Sequence, residues 1–235
     1  MKKKVAIIQS SYIPWKGYFN IIKCVDKFVL LDDVQYTRRD WRNRNLIKTK
    51  SGLKWLTIPV NVKGKYHEKI ENVFADGLNW RTDHWNQIYS AYKDAPFFKH
   101  FSGAFEELYL GQKETNLSKI NLSFIRLINS ILEIETPISW SASYSSPSPL
   151  EKSERLATIC RDSDADMYIS GSLAKTYLDI TIFERMGIEV AWTDYSNFPT
   201  YSQLYPPFEH GVSVVDLIFN EGSKASTFLK KQIWT

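Results

Sequence analysis

The stretch "VAIIQSSYIPWKGYFNIIKCVDKFVLLDD", Val5 to Asp33, decides the fold class. Val5 to Ser10 is an apolar, β-branched run of the kind that fills a strand buried on both faces. From Gly17 to Lys27 the period changes, and Phe19, Ile22 and Val25 recur at the spacing of a helix face. "FVLLDD", Phe28 to Asp33, is apolar again and ends in paired acids. Strand, helix and strand within about thirty residues form the signature of a parallel βαβ unit.

Working outward, "NLIKTK" and "LKWLTIPV" flank Ser51-Gly52 and read as a β-hairpin ended by Pro59. "NVKGKYHEKI" follows as a polar loop. From Asn79 to Glu135 the pattern turns helical: Trp80, His84, Gln87, Ile88 and Ala91 share one face, Pro96 opens a second helix, and Asn116 caps a third. Strand-like "TPISWSASY" then leads into the loop "SSPSP". Beyond it the α/β alternation returns. "PLEKSERLATICRDSDA" is helical, "DMYISG" a strand, "SLAKTYLDITIFERMG" a helix closed by Gly187, "IEVAWTDY" a strand, and "VSVVDLIFN" a helix closed by Gly222. The expected architecture is one Rossmann-like α/β domain over residues 1–235. Its mostly parallel sheet is interrupted by the hairpin and by a helical insertion over residues 79–135.

A chain of 235 residues can bury a full core in one domain. Two cysteines provide neither a disulfide framework nor metal spacing, so a reducing compartment is expected. The apolar run behind the basic start stops after Ile8, too soon for a signal peptide, and no stretch approaches a bilayer span. Membrane insertion is not expected, and a cytoplasmic location is. His67, His84, His100 and His210 lack metal-ligand spacing, which argues against zinc and leaves no metal site expected from protein ligands. No GxSxG and no nucleophilic cysteine context supports covalent hydrolysis. The net charge of +4 is unevenly spread: Arg38 to Lys54 holds seven basic residues and one acid. Such a segment suits a phosphate or a nucleic acid, or is a solvated surface ribbon.

In an open parallel sheet, ligands collect beyond the carboxyl ends of the strands, where helix N-termini offer N–H groups. Gln9, Ser11, Tyr12, Trp15 and Lys16 follow the first strand. Asp32, Asp33, Gln35, Arg38, Arg42, Asn43 and Arg44 follow the second. Ser170, Gly171 and Lys175 follow the strand "DMYI". All are candidate binding residues, together with His210 in the aromatic loop near the C-terminus. Lys16 would place a point charge at a helix N-terminus, Gly17 would let backbone approach a ligand, and Tyr12 and Trp15 offer faces for a base or sugar. Strand alternation lets only one of Asp32 and Asp33 face the crevice; the other would cap or pair with Arg38 or Arg39. A carboxylate there can bind a sugar hydroxyl, hold Mg²⁺ or accept a proton. Asp33 and His84 are the candidate bases.

Six segments, "IIQSSYIPWKGYF", "LLDDVQYTRRDWRNRN", "GLKWLTIPV", "NLSKINLSFI", "YISGSLAKTYLD" and "YPPFEHGVSVVDLIFNEG", make the chain resemble the WbqC-like protein family over nearly its whole length. The resemblance implies a place in bacterial O-antigen or other surface-polysaccharide (lipopolysaccharide) synthesis, with a glycine transferase role suggested for members. It carries over no catalytic residue. The substrate class so implied is a nucleotide-linked amino sugar, acylated on its amine by an acyl or aminoacyl donor such as an aminoacyl-tRNA. That reaction needs a base, oxyanion donors (backbone N–H near Lys16 or Gly171) and an aligned donor. The alternatives are an ATP-dependent nucleotidyltransferase or ligase-type enzyme, with Mg²⁺ brought by ATP, and a non-catalytic nucleotide-sugar or RNA binding protein. Cofactor and oligomeric state stay open.

Overall fold

The computed structural model describes residues 2–65, 67–144 and 151–234. The expected "SSPSP" loop lies outside the described residues. β1 (Lys4–Ile8), β2 (Lys27–Leu30), β5 (Ile138–Trp140), β6 (Met167–Ser170) and β7 (Glu189–Trp192) form a five-stranded sheet in the order β5-β2-β1-β6-β7. Every neighbouring pair in it is parallel. Counting only these five strands, the order is 3-2-1-4-5, so the winding reverses between β1 and β6. β3 (Arg44–Thr49) and β4 (Gly52–Thr57) make a separate antiparallel hairpin.

Side-chain alternation divides the core into two layers. Ala6, Phe28, Leu30 and Ile169 pack against α1 (Lys16–Cys24), α4 (Leu117–Ile131), α7 (Val214–Glu221) and the buried face of the hairpin. Val5, Ile7, Val29 and Tyr168 point the other way, onto α5 (Lys152–Asp162) and α6 (Ile180–Arg185). α2 (Asn79–Tyr92) and α3 (Phe98–Glu106) join the first layer through Ile88, Tyr92, Phe98 and Phe105. Residues 79–135 thus share one continuous core with the sheet rather than burying an apolar face of their own.

Local chemistry accounts for the element boundaries. Asn116 accepts a hydrogen bond from Lys119 N at 3.0 Å, capping α4 as expected. The helix expected over "SLAKTYLDITIFERMG" is broken. Ser172–Thr176 forms a short 3₁₀ turn, and Asp179, accepting from Thr181 N at 3.0 Å, starts α6 afresh. The hairpin turn is Lys50-Ser51, one residue earlier than expected, with Gly52 in the left-handed region at φ +107°. Beyond β2 the chain leaves the sheet at Leu30, so both aspartates that follow belong to the loop.

The two ends of the sheet differ. At its amino edge Lys3 N donates to Asp166 Oδ2 and Lys4 N to Asp26 Oδ2, each at 2.7 Å, so strand-end donors are consumed internally. The cavities described next open at the carboxyl edge.

A candidate ligand site at the carboxyl edge of the sheet

The loop after β1 adopts a shape its sequence alone disfavours. Ile13 has φ +36°, uncommon for a β-branched residue. The hairpin holds it there: Asn45 Nδ2 donates to the carbonyls of Tyr12 and Ile13 at 3.0 Å each, and Tyr12 N donates to Trp41 O at 3.0 Å. The turn then enters α1 with the Trp15 indole folded back onto Gly17, where a Cβ would overlap the ring. The sequence suggested that Gly17 lets a ligand approach; instead it admits its own neighbour's side chain.

Two cavities flank this loop. The first, about 360 Å³, is lined by Ile8, Ser11, Pro14, Trp15, Tyr18, Trp41, Arg42, Asn45 and Gly211. The second, about 440 Å³, is lined by Gln9, Leu31, Val34, Gln35, Lys152, Arg155, Leu156 and Tyr177. They meet at one hydrogen bond: Arg42 Nη1 donates to Gln9 Oε1 at 3.0 Å, so each partner belongs to a different cavity wall. Arg42 is buried and also lies 3.9 Å from Asp40 Oδ1. The aromatic cavity suits a ring; the polar one, with Arg155 and Lys152 at the start of α5, suits an anion.

Asp32 and Asp33 take different partners, although both lie in the loop and strand alternation does not separate them. Asp32 is buried, accepting from Ser10 N at 2.8 Å and from Ser118 Oγ. It therefore holds β1, β2 and α4 together, and it also lies at the wall of the hollow described below. Asp33 is largely covered and pairs with Arg155 and Ser141, not with Arg38 or Arg39. A third hollow of about 260 Å³ lies on that side, lined in part by Asp33, Ser141 and Trp140.

Several expected site residues sit elsewhere. Tyr12 offers no stacking face: its ring is fully buried against Trp80 and Phe124, and its hydroxyl bonds His84 Nδ1 at 2.9 Å and Tyr109 at 2.5 Å. His84 is therefore an interior residue of α2 that lines none of these three hollows, which removes it as a base for ligand bound there. Burial pushes its imidazole down to about 4, against a smaller upward pull from the Thr57 backbone. An unfolded histidine titrates near 6.5, so the unfolded chain takes up the proton first as pH falls. Stability contributed by the neutral ring is present above about pH 6.5 and is lost as pH falls toward 4. Urea unfolding at pH 7 and pH 5 should show that loss, and His84→Gln should flatten it; an unchanged pH slope in the variant would refute the assignment.

Lys16 likewise turns inward. Its ammonium donates to Pro199 O at 2.6 Å within a cage of Phe198, Tyr201 and Phe208 rings at 5.0–5.6 Å, and burial lowers its pKa to about 8 while Asp216 pulls upward. It places no charge in the cavity. Asn43 is also structural, donating to Ile58 O at 2.7 Å. Arg38 donates to Val62 O, and Arg44 to Arg39 O while covering the Trp55 ring. Ser170 is buried at the end of β6, Gly171 begins the turn that ends beside Tyr177, and Lys175 lies over Trp192 at 5.6 Å. His210 is exposed beside Gly211 at the aromatic cavity, its ring against Phe208. Burial and the nearby Lys16 charge lower its pKa. The structure thus brings together Gln9, Ser11, Trp15, Gln35 and Arg42 around the paired cavities. Trp41 lies there too, and Tyr18, Arg155 and Tyr177 join them without having been singled out as site residues. Nothing in the spacing of the chain flagged Arg155; an Asp33 needing a partner was the available signal.

Among the described residues no group of His, Cys, Asp and Glu is placed to hold a metal ion, and no helix is long and apolar enough to cross a membrane. No solved structure matches the chain. The WbqC-like protein family matches residues 9–228. A Mycobacterium tuberculosis (strain ATCC 25618 / H37Rv) protein named "Uncharacterized protein Rv1507c" is 44% identical over 228 residues, covering 97% of this chain and 98% of that one. With a match of this extent, the chain belongs to the WbqC-like protein family.

Proposed function

We propose that the paired cavities bind a nucleotide-linked amino sugar and that the protein transfers an acyl or aminoacyl group, such as glycyl, to its amine during surface-polysaccharide synthesis. The observation that carries this reading is the Gln9–Arg42 bridge. It joins an aromatic cavity to a cationic one at the strand β1 end, beside the winding reversal where open α/β sheets bind ligands. A ring stacks on Trp15 and Trp41, and a diphosphate meets Arg155, Lys152 and the start of α5. That diphosphate competes with Asp33 for Arg155. A released Asp33 carboxylate, at the wall of the adjoining hollow of about 260 Å³ and reached through Arg155, can then accept the proton of the sugar ammonium, and a backbone N–H near Gly171 can face the developing oxyanion.

The test incubates the protein with a panel of nucleotide-linked amino sugars plus glycine and ATP, or plus glycyl-tRNA, read by mass spectrometry. A mass gain of one glycyl unit is the expected result. Asp33→Asn should reduce turnover about a hundredfold, within the range for a general base, while leaving nucleotide-sugar binding intact. Pyrophosphate release that depends on the amino acid would assign the ligase-type alternative. Binding without product from any combination would assign the non-catalytic one.

A further inference from the structure

The hairpin and the loop before it carry an exposed feature that extends beyond the cavities. Trp41 and Trp55 are 44% and 42% exposed, and their rings lie 5.4 Å apart at a 39° tilt. The Arg44 guanidinium sits 4.1 Å above the Trp55 ring. Trp55 pairs across the hairpin with Leu46, and Arg44 and Leu53 share its solvent-facing side, by strand alternation. Two indoles left half in water are not there for the core, whose aromatics are elsewhere. Arg39 and Lys50 are also exposed on this segment, and Asp40 is its one acid.

We propose that this platform docks a single-stranded RNA end, which delivers the acyl group to the aromatic cavity. Flat exposed indoles and a stacked guanidinium accept unpaired bases without sequence preference, and the basic flank complements phosphates. An oligosaccharide would use the rings but has no call on the excess of positive charge. Trp41 links the platform to the site because it also lines the 360 Å³ cavity. The inference rests on the transferase reading and specifies its donor. The amine nitrogen of the sugar attacks the ester carbon at the terminal ribose, and a C–N bond forms. The C–O bond to the ribose then breaks, and the amine proton ends on the ribose oxygen. No further co-reactant is required.

The experiment measures fluorescence anisotropy of a labelled twelve-nucleotide single-stranded RNA against the full chain, beside a duplex of the same length and a neutral hexasaccharide. The single strand is expected to bind most tightly. Trp55→Ala should weaken it about tenfold, as the loss of one stacked base predicts. Arg39→Ala should lower the slope of log affinity on log salt by about 0.7, the value for one phosphate contact on a single strand. Circular dichroism should show both variants folded, since both side chains are exposed. Equal binding of duplex and single strand, a neutral Trp55→Ala, preference for the hexasaccharide, or no RNA binding would each overturn the proposal. Nucleotide-sugar binding is measured in parallel on Trp55→Ala. If RNA binds and the nucleotide sugar does not, the transferase reading fails, and with it the acyl delivery, while RNA docking at the platform stands; the converse removes only the RNA donor.

Discussion

Arg42→Ala is expected to weaken binding of a nucleotide-linked amino sugar up to about a hundredfold. A hydrogen bond made by a charged group is worth about 1.5–3 kcal/mol, and this guanidinium stands at the junction of both cavities. Its loss leaves Gln9 Oε1 without its donor and opens the wall between the two spaces. The surrounding loop should keep its shape, because its supports are main-chain groups unaffected by the substitution. Asn121 Nδ2 donates to the Arg42 carbonyl at 2.9 Å, and Tyr12 N to the Trp41 carbonyl. Arg42→Lys retains the charge without the planar fork and should recover only part of the affinity. Isothermal titration calorimetry decides the matter: an Arg42→Ala protein that binds within twofold of the parent would show that ligand does not meet this side chain.

Asp32→Ala should act on stability with comparable force. The carboxylate satisfies the buried Ser10 N–H and Ser118 hydroxyl, and alanine leaves both without an acceptor in the interior. Each orphaned buried donor costs about 1–3 kcal/mol, so a loss of about 3 kcal/mol is expected. For a chain of this size that corresponds to a fall in Tm of about 9 °C. Asp32→Asn keeps one acceptor oxygen and should recover part of it. The neighbouring Asp33→Asn should lower Tm less than Asp32→Ala, because asparagine keeps an acceptor oxygen for Arg155 in this partly covered pair. Calorimetric scans of the three variants separate adjacent carboxylates into a structural and a functional one. Equal effects on Tm from both positions would refute the division.

The parallel sheet was legible because Val5–Ile8, Phe28–Leu30 and Met167–Ser170 are apolar runs separated by helix-period segments, and burial on both faces forces that pattern. The hairpin and the Asn116 cap were legible because turn and cap chemistry is local. The interior destinations of Tyr12, Lys16 and His84 were not. Each is a polar-tipped residue whose loop or helix position suits a binding site equally well. What decides is a partner far along the chain: Tyr109 for Tyr12, Pro199 for Lys16, Tyr12 itself for His84. The basic run from Arg38 to Lys54 divides for the same reason. Arg42 and Lys48 go inward and Arg39 and Lys50 outward, a distribution that charge counting along a sequence does not see.

The left-handed kink at Ile13 has an evolutionary corollary. Because that bend is propped by Asn45, one strand of the hairpin shapes a pocket whose floor belongs to the parallel sheet. Drift in the hairpin can therefore remodel what the pocket accepts while the scaffold beneath stays constant. Exchanging this cassette between distant relatives should transplant substrate preference with it.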